Sequence, residues 1–388
     1  MKKKILFVSE ALWIGGIETA LVNLLNRMDY EKYDVTLLLR WAIFDGDMRQ
    51  KVPTQCRIVT FDRENGQYRY ARLYHLTEES ENPSGLHKAM MWAVPMIKWI
   101  ENRLYIRYVK SQMRGERFDT CVIYSDVAAE TGVRAIQADK YLLFYHHGAM
   151  RKVWHDEIGY RKADKIIAVS SAVEQKLRSF RPKYADKMMT LHNLTDVEGI
   201  RAKGVEPVPE IFPEEKFNIV SCGRVSHEKG MDLAVEACAE LVKLGHENLH
   251  WWIVGGGPAE DEVRAKIAEL RMEDYVTMLG MKSNPYPYIK QADLYVQPSR
   301  FEGYPMTILE ALILGQPVVS TNNSGAKEIL QYGVTGVLCD ISAQSIADKV
   351  HGLLKHFEVL EELKKNVAET DMDSGNRYVI NFLEKIMG

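Results

Sequence analysis

Two doubly wound α/β domains are what this sequence predicts, on three observations: short, doubly apolar runs, helical patterns between them in both halves, and a proline-punctuated stretch past mid-chain. Strands covered on both faces by crossover helices read as continuous apolar runs of this kind. In the first half they fall at residues 5–8, 35–39, 121–124, 141–145 and 166–169. In the second they fall at 217–222, 251–254, 276–279, 294–296 and 317–320. Residues 204–213 hold Pro207, Pro209 and Pro213 among mixed charges, as an exposed connector does. The expected domains are therefore 1–200 and 201–375. The last stretch, 376–388, has Tyr378, Val379, Phe382, Leu383 and Ile386 at helical spacing.

The 388 residues, 46% hydrophobic and 27% charged, suit a soluble globular chain with two cores. The start, Lys2-Lys3-Lys4 before Ile5, imitates a leader, but Glu10 cuts the apolar run short and the segment reads as a buried strand. No apolar run approaches the roughly 18 residues of a membrane span. Five scattered cysteines fit a reducing cytoplasm. The net charge of -3 hides an asymmetry: residues 1–200 carry 31 Lys and Arg against 25 Asp and Glu, the remainder 19 against 28. A basic first half would face a lipid surface or a phosphate-bearing acceptor, or it reflects only variation between domains.

The most informative segment is Ser299-Arg300-Phe301-Glu302-Gly303-Tyr304-Pro305-Met306-Thr307-Ile308-Leu309-Glu310-Ala311-Leu312. A strand-like run ends at Pro298, Gly303 and Pro305 break any regular pattern, and a helix opens at Met306 or Thr307. Glu302 is thus on a loop and Glu310 inside a helix. Free N–H groups at the helix start attract phosphate oxygens, and carboxylates accept from sugar or ribose hydroxyls. One loop can hold both ends of a nucleoside-diphosphate sugar.

This Glu-x7-Glu segment resembles the signature of the retaining glycosyltransferases of family 4. That resemblance implies the GT-B fold, two Rossmann-like domains facing each other across a cleft, with the final helix packing back on the acceptor-binding N-terminal domain. It implies a nucleotide-sugar donor held by Gly303, Tyr304, Pro305, Met306, Thr307 and Glu310, with Glu302 orienting donor-sugar hydroxyls. Gly223-Arg224-Val225-Ser226-His227-Glu228-Lys229-Gly230 is similar to the family's Gly-Arg-x4-Lys-Gly element, in which the two cations grip the diphosphate. Positive charge aimed at a departing diphosphate stabilises the transition state more than the ground state and can replace a metal. No metal or cofactor is expected; the donor, a UDP-sugar by preference, is a co-substrate.

Gly15 and Gly16, at a strand-to-helix turn, resemble the family's turn near the diphosphate and acceptor. Gly256, in Gly255-Gly256-Gly257-Pro258, and Leu279, before Asn284-Pro285-Tyr286, resemble the turn and the base-binding region. His146 and His147 end an apolar strand where family members place a histidine against the donor sugar, and Gly148 favours His147. Residues 86–114 interleave Met90, Met91, Trp92, Met96, Trp99, Tyr105, Tyr108 and Met113 with six cations against one acid, Glu101. They read either as an interfacial helix on anionic lipid or as a core helix with a basic face, with Pro95 starting or kinking it. The function expected is transfer of a hexose or N-acetylhexosamine to a glycan, plausibly lipid-linked, at the cytoplasmic membrane face, with no nucleic acid involved. An epimerase, a phosphorylase or a non-catalytic sugar-nucleotide binder on the same scaffold is the alternative.

Overall fold

Each expected apolar run becomes a parallel strand. The computed structural model describes residues 2–12, 15–40, 48–60, 85–146, 157–323 and 325–388. It divides into two units, Met1–Ala168 with Leu177–Met189 and Phe382–Gly388, and Val169–Lys176 with Thr190–Asn381.

The first unit runs β1 (Lys3–Ser9), α1 (Gly16–Asn26), β2 (Tyr33–Leu39), β3 (Arg57–Thr60), α2 (Gly85–Gln112), β4 (Phe118–Ile123), α3 (Ala129–Ala135), β5 (Ala138–Tyr145), α4 (Glu157–Lys162), β6 (Lys165–Ala168), α5 (Ser171–Phe180), whose residues up to Lys176 belong to the second unit, and β7 (Met188–Thr190), whose last residue does too. Its sheet has the order β3-β2-β1-β4-β5-β6-β7. Ile5, Leu6, Phe7 and Val8 are all buried, so both faces of β1 are covered. Strands β3 and β7 escape sequence reading because they are short edge strands, and β3 has no buried residue to build an apolar run. Helix α2 begins at Gly85, so Pro95 lies within it and does not start it.

The second unit runs α6 (Val197–Gly204), β8 (Phe217–Cys222), α7 (Met231–Lys243), β9 (Leu249–Val254), α8 (Glu260–Leu270), β10 (Val276–Gly280), α9 (Tyr286–Gln291), β11 (Leu294–Gln297), α10 (Met306–Ile313), β12 (Val318–Thr321), α11 (Ala326–Ile329), β13 (Gly336–Cys339), α12 (Ala343–Lys355), α13 (Phe357–Glu369) and α14 (Ser374–Met387). The sheet order is β10-β9-β8-β11-β12-β13, and the edge strand β13, buried only at its two ends, also escapes sequence reading. Trp251, fully buried, centres one core layer, and its indole N–H donates to the Ser221 hydroxyl at 3.0 Å.

The boundary differs from the proline-rich stretch expected to carry it. Residues 204–213 lie inside the second unit, because Val197, Ile200 and Phe212 are buried in the core layer that contains Tyr288 and Leu312. The side chain of Leu314 comes so close to Gly204 that a Cβ there would stand 2.4 Å from it. Packing decides the boundary here, and exposure of three prolines does not. At the C-terminus, α14 starts in the second unit, where the Asn376 side chain bonds both backbone groups of Thr195 at 2.9 and 2.7 Å. Its last residues belong to the first, where Lys140 donates to the Ile386 carbonyl at 2.8 Å. Among the described residues no helix is long and apolar enough to cross a membrane.

Candidate functional site

In the second unit β8 and β11 are parallel neighbours at the point where the strand order reverses. Loops leaving the carboxyl ends of such a pair frame the crevice of an open α/β sheet. The Gly223–Gly230 loop follows β8 and the Ser299–Pro305 loop follows β11, so the topology brings together two motifs that are far apart in sequence.

The two loops are locked to each other. Gly230 sits at φ +66, with the Pro298 carbonyl oxygen 2.2 Å from where a Cβ would stand, so only glycine allows the approach. The Arg300 N–H donates to the Glu228 carbonyl at 2.8 Å, and its guanidinium reaches the His227 carbonyl at 2.9 Å. The same guanidinium holds both Asp232 oxygens at 2.8 and 2.6 Å. Burial acts to raise the Asp232 carboxyl, but Arg300 and the backbone N–H groups of Asp232 and Leu233 outweigh it and hold it below the usual range. Arg300 stood in the signature without a role; its partner, Asp232, is visible only in the tertiary structure.

This lock places the Lys229 ammonium 2.6 Å from Glu302 Oε1. Glu302 is 7% exposed, and the same Oε1 accepts from Ser299 at 2.7 Å and Gln297 at 3.1 Å. Gln297 is fixed in turn, its Oε1 accepting from Tyr295 at 2.6 Å and Thr307 at 2.9 Å. Every protein bond to the carboxylate falls on Oε1, so among the described residues Oε2 has no partner. Lys229 and Glu302 were read as holding opposite ends of the donor. The structure pairs them directly, while Arg224 is exposed and has no ion pair among the described residues.

The glycine turns after β8 and β9 are zipped together. Gly223 N–H bonds the Val254 carbonyl at 2.9 Å, Val225 N–H the Gly256 carbonyl at 3.0 Å, and Gly255 N–H the Gly280 carbonyl at 2.9 Å. A Cβ on Gly255 would stand 1.8 Å from the Gly223 oxygen, and one on Gly257 2.4 Å from the Val225 oxygen. At Gly256 the nearest atoms are 3.6 Å away. Ser226, in the cationic loop, has a buried hydroxyl with no hydrogen-bond partner among the described residues. Leu279 is half-buried against the core layer of Val254 and Tyr295.

Helix α10 opens at Met306, as expected. Neither Met306 N–H nor Thr307 N–H has a protein acceptor among the described residues, while the Thr307 hydroxyl is committed to Gln297. One turn in, Glu310 is half-buried, with the Tyr286 hydroxyl 3.4 Å from Oε1. Burial pushes its carboxyl up to about 7, and Tyr286 pulls it back only in part. Both Glu310 and Glu302 act electrostatically on the Tyr295 hydroxyl, and Glu310 and Lys229 both act on the Cys222 thiol, so the three charges surround one strand end.

A raised carboxyl has a stability consequence whose sign is fixed. The unfolded chain ionises near the usual 4.5 while the folded chain holds its proton to about 7, so Glu310 lowers stability as pH rises through that window. Glu310→Gln is expected to stabilise the ligand-free protein on the order of 2 kcal/mol above about pH 7, and not at all near about pH 4. Denaturant midpoints at the two pH values measure it.

Tyr304 stacks on His192 with centroids 4.7 Å apart and 14° between planes. Glu328 accepts from the Ser171 and Ala172 N–H groups at 2.8 and 2.9 Å, capping the start of α5. Pro305 and Gly303 press on Gly325, where a Cβ would meet them at 2.7 and 2.8 Å. His192, Tyr286, Gln297 and Glu328 carried no role in the sequence reading; each supports the signature through a tertiary contact that no spacing reveals.

In the first unit Gly15 precedes α1 with extended backbone and Gly16 opens it, with nothing within 4 Å of a Cβ at Gly16. His146 packs between Tyr124 and Phe144, at centroid distances of 4.8 and 6.0 Å. His147 and Gly148 lie outside the described residues. Among the described residues no three His, Cys, Asp or Glu side chains are grouped to hold a metal ion.

Residues 205–370 match the family model described as glycosyl transferases group 1. The matched stretch lies within the second unit. That stretch contains the paired loops and α10 described above. A Campylobacter jejuni N-acetylgalactosamine-N,N'-diacetylbacillosaminyl-diphospho-undecaprenol 4-alpha-N-acetylgalactosaminyltransferase is 32% identical over 215 residues, 54% of this chain and 56% of the relative. The amylovoran biosynthesis glycosyltransferase AmsK of Erwinia amylovora is 32% identical over 165 residues, 37% of this chain and 39% of the relative. The chain spans about half the length of the curated relatives it matches. Anabaena HepE, crystallised with UDP, superposes with a TM-score of 0.70 at 18% identity, over 99% of this chain and 100% of that one. At that identity the likeness shows the fold: two parallel-sheet, Rossmann-like domains of the GT-B kind, the matched stretch falling in the second.

Proposed function

We propose that this chain is a retaining, metal-independent glycosyltransferase. It moves a hexose or N-acetylhexosamine from a UDP-sugar to a glycan acceptor, lipid-linked, at the cytoplasmic face of a membrane. The observation that carries the reading is the Glu302 carboxylate, fixed through Oε1 by Lys229, Ser299 and Gln297 with Oε2 open. A rigid acceptor atom beside cations is what a donor sugar linked to a diphosphate requires. HepE was also crystallised with UDP-glucose, and the Campylobacter relative's name includes a diphospho-undecaprenol, which supports the donor and acceptor classes.

In this reading Oε2 accepts from a donor-sugar hydroxyl. Arg224 and the remaining N–H groups of Lys229 neutralise the diphosphate, whose oxygens also meet the Met306 and Thr307 N–H groups. Glu310 accepts from the ribose. The bond from C1 to the phosphate oxygen breaks as the acceptor oxygen bonds C1 on the same face, and the departing phosphate takes the acceptor's proton. The ribose contact needs Glu310 ionised, so UDP affinity weakens as pH falls below about 7.

Incubation with a panel of UDP-, GDP- and ADP-sugars, with and without glycan acceptors and with EDTA, tests the reading. UDP release that needs acceptor and survives EDTA, with the donor's anomeric configuration kept in the product by NMR, is the expected result. Sugar isomerisation without acceptor, or UDP-sugar binding with no turnover on any acceptor, would replace it with an epimerase or a binding protein.

A further inference from the structure

Helix α2 (Gly85–Gln112) has two faces from Met96 onward. Asn102, Ile106 and Val109 turn inward: Asn102 bonds Arg40 at 3.1 Å and Glu130 at 2.7 Å, and Ile106 and Val109 are buried with Met113 just past the helix end. At 100° per residue, positions 96, 99, 100, 103, 104, 107 and 110 fall within one arc of about 140° that adjoins the inward stripe. There Met96 is 61%, Trp99 47%, Ile100 43% and Leu104 55% exposed. Arg107 and Lys110 are exposed on the same face, while Arg103, 5.2 Å over the Trp99 ring, is ion-paired with Glu130 at 3.9 Å. Among the described residues of this face there is no acid.

We propose that this face docks in the plane of an anionic lipid bilayer, with Met96, Trp99, Ile100 and Leu104 entering the headgroup boundary and Arg107 and Lys110 resting on lipid phosphates. The charge pattern selects lipid over a protein partner. Apolar and cationic residues divide along the helix axis, apolar toward its N-terminal end, and a cationic half without acids matches a sheet of phosphates. Trp99 with an arginine over its ring suits the interface, where one end is apolar and the other wet. The inference rests on the lipid-linked acceptor reading for its purpose, but the binding itself needs no transfer activity.

Flotation of the full chain with vesicles of phosphatidylcholine, alone or with about a third phosphatidylglycerol, tests it at low and high salt. Binding to the anionic vesicles alone, reversed by salt, is expected. Arg107→Glu with Lys110→Glu should weaken it at least about tenfold, since each surface cation is worth about fivefold. Trp99→Ser with Ile100→Ser should abolish it and remove a vesicle-induced blue shift in tryptophan fluorescence. UDP-induced thermal stabilisation should be equal in all three proteins, which shows that they fold. No binding to anionic vesicles, or equal binding by the variants, overturns the proposal. Self-association lost in Trp99→Ser with Ile100→Ser, without vesicle binding, would assign the face to a second copy. Vesicle binding without sugar transfer would leave this inference standing and remove only the function proposed above.

Discussion

Lys229→Ala is expected to lower turnover by about a thousandfold while leaving most of the protein folded. The ammonium is 2.6 Å from Glu302 Oε1, so in the proposed reading its loss removes both a cation assigned to the diphosphate and a bond that holds the carboxylate assigned to the sugar. Removal of one preorganised donor costs on the order of 10²–10³ in rate, and here two functions leave together. Ser299 and Gln297 still bond Oε1, so the stability cost is about 1–3 kcal/mol, below the 3–5 typical of breaking a fully buried pair. Glu302→Gln should fall by a comparable factor. The double variant should be little worse than either single one, because residues that act as a unit are non-additive. Steady-state kinetics on the four proteins measures the coupling; independent, multiplying losses would show that the pair does not work as one group.

Gly255→Ala should be the most damaging single methyl in the second unit. The backbone sits at φ +145, and the new carbon would stand 1.8 Å from the Gly223 carbonyl oxygen. That oxygen cannot retreat cheaply, because Gly223 N–H is bonded to Val254 and Gly255 N–H to Gly280. A loss of about 4 kcal/mol or more is expected, the range reached when strain and a backbone clash coincide. The neighbouring Gly256→Ala meets its nearest atoms at 3.6 Å and should cost less than about 1 kcal/mol. Urea unfolding of the two variants separates a requirement for close backbone approach from a general intolerance of the turn.

The strands were readable wherever both faces are buried, as at residues 5–8 and 217–222, because burial on both sides demands unbroken apolar sequence. Strands β3, β7 and β13 were not, because these short edge strands carry at most two buried residues each to build such a run. Helix α10 and its start were readable from Gly303 and Pro305, which break the chain just before it. The domain boundary was misplaced for the same kind of reason: three prolines announce exposed backbone, but α6 and Phe212 had already joined the second core.

The motifs by themselves determined which loops matter, since a glycine turn with two cations and a turn-to-helix junction with two carboxylates each imply an anion or hydroxyl partner from local chemistry alone. Their assembly was decided only in three dimensions. Strand order sets β8 beside β11, Gly230 admits the Pro298 carbonyl, and Arg300 on Asp232 closes the junction, so that Lys229 meets Glu302 and one oxygen stays open. Those contacts join residues about seventy positions apart, and the hydrogen-bond direction that leaves Oε2 open depends on distances that no residue spacing encodes.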